Sequence, residues 1–331
     1  MKIKVLAAVF ALCLMLAGCG KSSKIKTSVD DLSGTATVTD LGVSSQNDTT
    51  LASNARNPWD IAVIDGEVYT AVGDYSADSS PTSFWKYDSE QSNWVSTGES
   101  EQEAILRFLN LNGKTIAIGG DPAGRPEYAE NYVLNDGEWQ TFVKIKGALH
   151  TFDAEYLDGA YYFGVSYDTN DHPVVKYDPK TKQYTNIPLH KNGVDVILAE
   201  ERQNTRYKRV YDLFLIKDRL YCILACYYVD DNYTVEFFEL KGDKFQFCTP
   251  FIKSGMVLNR PIKNQVLFNS SAVMGDSCYI TTGNLYKTRN FKKIDEIDVP
   301  EGECVTDLFC EEKKRCANAA CFNRKTNRIG I

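Results

Sequence analysis

The chain has 331 residues, of which 43% are hydrophobic, enough to bury a sizeable core. Its formal charge of -7 excludes phosphate-backbone binding and electrostatic docking on anionic lipid as main roles. Tyr, Phe, Val, Ile and Thr fall in short alternating runs with little helical periodicity, which predicts an all-β protein.

In chain order, Lys2 and Lys4 precede an uninterrupted apolar run from Val5 to Leu16. The run is too short for a stable membrane span and has the form of a secretory signal. It ends in Leu16-Ala17-Gly18-Cys19, which resembles the lipobox of bacterial lipoproteins. That resemblance implies a signal peptide over 1–18, cleavage before Cys19, a diacylglyceryl thioether on the Cys19 sulfur and a palmitate-type acyl group on its amine. The expected location is therefore the bacterial cell membrane, lipid-anchored and extracytoplasmic, with the bilayer as a partner through acylated Cys19. Cleavage removes two lysines and takes the formal charge to -9.

Residues 19–55 are rich in Ser, Thr, Asp and Asn and read as a flexible tether. Within them, residues 34–41 alternate, are β-branched and form a candidate strand. Residues 56–331 are expected to be the folded domain. Eight of the ten cysteines crowd between Cys222 and Cys321, mostly in apolar runs, where thiols act as small buried hydrophobes. One or two disulfides are the alternative. A zinc site is disfavoured because no Cys-x-x-Cys occurs and no His follows residue 190.

One pattern recurs six times: an extended run, a polar turn, and a second extended run. Its first copy is Trp59-Asp60…Asp65-Gly66-Glu67-Val68-Tyr69, and the others turn at Asn112-Gly113, Asp158-Gly159, Asp218-Arg219, Gly275-Asp276 and Lys313-Lys314. Turn-to-turn spacings of about 38 to 59 residues match one four-stranded propeller blade. A Gly pair closing a second strand (Gly119-Gly120) and Tyr177-Asp178-Pro179-Lys180-Thr181 before Tyr184 resemble a degenerate kelch repeat. The predicted fold is a β-propeller of four-stranded antiparallel blades. Six blades fit best, and five or seven also accommodate the spacing. The last copy leaves little room for an outermost strand, a place residues 34–41 are expected to fill so that the ring has no exposed edge.

In such a fold the first strand of each blade lines the channel. Six residues before each turn glycine or its equivalent stand Asp60, Arg107, Asp153, Asp212, Asn269 and Asp307. Alternation puts these polar residues on one face at one height, a ring near a channel mouth. His150 is expected beside the ring, with Asp74 and Asp121 opening the loops at the same end. The long connections 190–209 and 249–266 are expected there too, the first carrying Glu200, Glu201, Arg202, Arg206, Lys208 and Arg209. His172 and His190 read as surface loop residues.

The pattern predicts a binding or scaffold module for a glycan or for a protein of the cell envelope. Tyr75, Phe84, Trp85, Tyr128 and Tyr132 are candidates to stack on sugar rings, with Trp85 and Tyr132 equally placed to be core. The alternative is a carbohydrate-active enzyme using Asp60, Asp153, Asp212 and Asp307, with Glu155 nearby. No cofactor is expected, and a cation held by the ring carboxylates would be of the calcium type. No Gly-x-Ser-x-Gly, His-Glu-x-x-His or phosphate loop is present.

Overall fold

Four of the repeated turns have both central residues in the left-handed region that a tight two-residue hairpin requires. They are Asp65-Gly66 (φ 52° and 87°), Asn112-Gly113 (51° and 70°), Asp158-Gly159 (49° and 84°) and Lys217-Asp218 (49° and 61°). The fourth lies one residue earlier than the sequence suggested and uses no glycine.

The structure is a computed structural model that describes residues 41, 58–73, 81–122, 128–167, 172–196, 205–228, 233–250, 270–281, 284–289, 291, 294–299, 303–311, 316–323 and 328–330. They fall into two compact units, Leu41–Gly255 and a second that contains Met256–Ile331. Every regular element among them is a β-strand.

In the first unit, each repeat is an antiparallel meander. The first sheet holds β1 (Pro58–Ile64), β2 (Glu67–Val72), β3 (Thr82–Asp88) and β4 (Asn93–Ser100). The second holds β5 (Gln102–Leu111), β6 (Lys114–Pro122), β7 (Tyr128–Asn135) and β8 (Glu138–Lys146). The third holds β9 (Ala148–Leu157), β10 (Ala160–Tyr167), β11 (Val174–Asp178) and β12 (Gln183–Ile187), and the Gly120–His150 pairing of β6 with β9 joins it to the second as one eight-stranded sheet. A short hairpin, β13 (Leu189–Lys191) and β14 (Val194–Val196), precedes the fourth sheet of β15 (Thr205–Ile216), β16 (Arg219–Tyr228), β17 (Tyr233–Lys241) and β18 (Lys244–Pro250).

Successive sheets pack through their apolar faces. Tyr69, Phe84, Ile105, Tyr132 and Trp139 fill the space between the first and second, with Phe84 stacked on Trp139 at 4.6 Å. Ile116, Ile118, Tyr161 and Phe163 lie between the second and third. Tyr162, Leu189, Leu213, Cys222 and Phe238 lie between the third and fourth. Phe84, offered above for stacking, is core, and Trp85 and Tyr132 take the core place also expected for them. Tyr75 lies outside the described residues, and Tyr128 is exposed.

The connection expected as a long loop over 190–209 is partly strand. β13 pairs in parallel with β18 and covers the outer edge of the fourth sheet, an edge otherwise open to pairing with another chain. His190 belongs to this hairpin, 2.9 Å from Asp195, and is not a loop residue. Lys208 and Arg209 are in β15, while Glu200, Glu201 and Arg202 lie outside the described residues.

The second unit holds the four-stranded β19 (Ser270–Met274), β20 (Ser277–Thr281), β21 (Leu285–Thr288) and β22 (Ile294–Ile297). It also holds β23 (Glu303–Glu311), β24 (Cys316–Asn323) and β25 (Arg328–Gly330), a sheet of three strands among the described residues. Residues 34–40, expected to supply the missing strand, lie outside the described residues. The adjoining Leu41 gives its carbonyl to the Trp94 indole on β4, at 2.8 Å. Cys222, Cys226 and Cys278 are buried and Cys248 is half-buried. Burial raises the Cys222 pKa well above the ordinary thiol range.

Glycine is required where sheets meet. Gly73 (φ 143°) bridges to Ala104 of the next sheet, and a Cβ there would lie 2.1 Å from the Glu103 carbonyl oxygen. At Gly66 nothing lies within 4 Å. Gly73→Ala should therefore cost roughly 3 kcal/mol or more, and Gly66→Ala only about 1–2 kcal/mol of backbone strain. Urea midpoints of the two variants check this; equal losses would contradict the assigned contact.

Candidate functional site in the inner strands

In each strand whose ring residue is described, the residue before the ring position is an extra one in the ladder. Register jumps occur between Pro58 and Asp60, Ile105 and Arg107, Thr151 and Asp153, Val210 and Asp212, and Val305 and Asp307. The residues that the register skips are Trp59, Leu106, Phe152, Tyr211 and Thr306. A bulge bends the strand and re-aims the side chain that follows it. The ring series is thus a series of post-bulge positions, a regularity that composition and spacing do not reveal. The only available signal was the large residue before most of the ring positions.

The carboxylates so aimed reach the next sheet. Asp60 Oδ2 accepts the Phe108 backbone N–H at 2.7 Å, and Asp153 Oδ2 accepts that of Leu213 at 2.7 Å. Both donors immediately follow the ring residue of their own strand. Arg107 carries no acceptor. Instead its Nη1 lies 3.0 Å from Asp153 Oδ1 and 3.4 Å from Asp212 Oδ1. Asp153 and Asp212 are 2% exposed, so each charge depends on these partners. The predicted ring residues Arg107, Asp153 and Asp212 are brought together, and Asp60 occupies the matching place against the second sheet. Asp307 holds the post-bulge position in β23. Asn269 and Asp74 lie outside the described residues. Asp121, at the end of β6, adopts a left-handed backbone (φ 59°).

His150, three residues before Asp153 on β9, is buried and its ring lies 5.4 Å from that of Phe152. Burial and the adjacent Arg209 push its imidazole down to about 3. Arg209 lies over the Phe152 ring at 5.4 Å and donates to the Tyr211 hydroxyl at 3.3 Å. Two residues beyond Asp153 on the same strand, Glu155 accepts the Tyr156 backbone N–H at 2.9 Å. Burial, with a smaller push from the Asp153 charge, raises its carboxyl to about 7. Among the described residues, no group of three or more His, Cys, Asp and Glu gathers as a metal site would require.

Two consequences are measurable. Asp153→Ala strands a buried N–H and a guanidinium and should cost roughly 3–5 kcal/mol, whereas Asp153→Asn retains an acceptor and should cost visibly less. His150 and Glu155 also set opposing pH slopes, about 1.4 kcal/mol for each pKa unit between folded and unfolded values. The depressed His150 contributes stability above its ordinary 6.5, lost as pH falls toward 3. The raised Glu155 contributes stability below its ordinary 4.5, lost as pH rises through 7. Relative to the parent, His150→Gln should weaken the acid decline and Glu155→Gln the decline from pH 4.5 to 7. Urea midpoints from pH 3 to 8 that are parallel for all three proteins would refute both assignments.

No family model matches the chain, and no curated protein matches it in sequence. Among solved structures it is similar to hydrazine synthase from Kuenenia stuttgartiensis, with 12% identity, a TM-score of 0.54, and coverage of 82% of this chain and 82% of that one. It is also similar to an α-L-arabinofuranosidase from Fusarium graminearum held with an iminosugar inhibitor, with 12% identity, a TM-score of 0.51, and coverage of 81% and 87%. At such identities the likeness concerns the fold alone, an all-β, propeller-like architecture.

Proposed function

We propose that this chain is a lipid-anchored, extracytoplasmic β-propeller of six blades that binds a glycan at the mouth of its central channel. Cys19 carries the anchor, residues 20–55 form the tether, and the blades form a rigid platform. The observation that carries the reading is the charge cluster of Arg107, Asp153 and Asp212, held on inner strands from three consecutive repeats. Rigid strands that present a mixed-charge cluster near loop ends suit recognition of a hydroxyl-rich ligand. The fold-level likeness to a carbohydrate-active propeller is an analogy in the same direction.

Binding fits better than hydrolysis. Asp60 and Asp153 each accept a backbone N–H of the neighbouring sheet, and Asp153 and Asp212 share Arg107. Carboxylates engaged in holding sheets together are poorly placed to act as acid and base on a glycosidic bond. Glu155 is the one inner-strand carboxyl described here whose pKa is raised toward neutrality, and it would be the acid if the catalytic alternative held.

Exposed Tyr128 opens β7, directly after the connection from β6. Tyr128→Ala should weaken binding on a glycan array by roughly tenfold without moving the thermal midpoint. An array with no glycan hit for the parent protein would overturn the reading. Cys19→Ser should shift the protein from the membrane to the soluble fraction and abolish palmitate labelling, and labelling that survives would exclude the lipid anchor.

A further inference from the structure

The fourth strands of the repeats in the first unit share a feature that one of them lacks. In β4, β8 and β18 the register with the neighbouring strand skips a residue, namely Thr97, Phe142 and Cys248. The third repeat ends in β12, which pairs with β11 without a break from Val174–Ile187 to Asp178–Gln183. A bulge twists an edge away from pairing with another chain, and charged side chains on the edge oppose such pairing too. β4 carries Glu99, β8 carries Glu138, Lys144 and Lys146, and β18 is covered by β13. β12 reads Gln183-Tyr184-Thr185-Asn186-Ile187, with no charge, no proline and no bulge.

Among the described residues, β11 is the strand hydrogen-bonded to β12, and the other edge of β12 faces solvent. Residues 183–186 are all exposed, Tyr184 by 47%. The strand is nevertheless fixed. The Tyr184 ring lies 5.1 Å from that of Tyr177, and a hydrogen bond from the Lys144 backbone reaches its hydroxyl. An edge already held in extended form loses little further freedom on pairing.

We infer that β12 is the pairing edge for a second copy of this chain, the two β12 strands meeting antiparallel about a two-fold axis at Thr185. Such an axis keeps opposed side chains on matching faces only where a residue meets its own copy. Thr185 is the middle of the five, so this register alone overlaps the whole strand. It sets Thr185 against Thr185, Tyr184 against Asn186 and Gln183 against Ile187, with Lys182 against Pro188 beyond them. Threonine opposite threonine is a favourable pair, and no like charges meet. Five residues from each copy bury well under the roughly 1,200 Å² of a stable interface, so the contact is weak in free solution. Anchoring both copies in one bilayer raises their effective concentration and strengthens it. The pairing is independent of the glycan reading, and its strength rests on the anchor at Cys19.

The test labels the full-length chain at its carboxyl terminus with donor or acceptor dye and places both forms at low density in phosphatidylcholine vesicles. Energy transfer in the parent should exceed that of randomly placed anchors. Thr185→Lys sets two ammonium groups across the axis and should weaken association by roughly fivefold, the upper end for like charges directly opposite. An equal mixture of Thr185→Lys and Thr185→Glu should restore it. Ser96→Lys, exposed on the bulged β4, should leave transfer unchanged. Chance-level transfer in the parent, or equal transfer in the parent and Thr185→Lys, overturns the pairing. If the chain stays off the vesicles, the anchor reading fails, and sedimentation equilibrium at millimolar concentration decides the pairing alone. A dimer lost in Thr185→Lys and regained in the mixture then upholds it, and a monomeric parent refutes it.

Discussion

The arrangement of the first unit depends on a hydrogen bond between a carboxylate of one sheet and a backbone N–H of the next. Sheets stacked face to face are held by side-chain packing, which is non-directional and tolerates sliding. Asp60 to Phe108 and Asp153 to Leu213 add a directional contact at the innermost strand. A bond to a charged acceptor is worth about 1.5–3 kcal/mol, and more important is the cost of leaving the buried donor unmet. The bulge before each ring residue makes the reach geometrically accessible, since an unbulged strand would keep the side chain perpendicular to its own sheet.

The second sheet breaks the series, and the break shapes the site. Arg107 stands where an acceptor would be, and its guanidinium turns to Asp153 and Asp212. Three charges from three repeats are thereby coupled on the inner strands. Burial makes the two carboxylates costly without the guanidinium. On β10, Ser166 pairs with His150 in the place that Gly120 takes against Ala104 on β6, and its hydroxyl is buried. These two irregularities fall on neighbouring repeats, where a regular scaffold acquires individual chemistry.

Strand β9 concentrates the electrostatic contrast. His150 is held neutral, Asp153 is satisfied by Arg107 and an N–H, and Glu155 is driven toward protonation, all within six residues. Desolvation is the leading cause for both His150 and Glu155, and it acts in opposite directions because it disfavours whichever form is charged. Burial in the repeat array thus pushes the two groups toward their neutral forms.

Much of the architecture was legible in the chain alone. Asp-Gly and Asn-Gly dipeptides demand left-handed turns, and alternating aromatics demand half-buried strands. Together they located the hairpins of the first three repeats and the residues of the ring. The glycines closing β2 and β6 were visible as well, although their purpose was not. Tertiary structure alone decided what the ring residues touch. Bulge positions depend on how a strand is drawn toward its neighbour, and a carboxylate 48 or 60 residues from its donor leaves no local signature. The same holds for residues 189–196, whose hairpin forms because the edge of β18 accepts it. Sequence periodicity records which face a residue buries; partners across sheets are set by packing between segments distant in the chain.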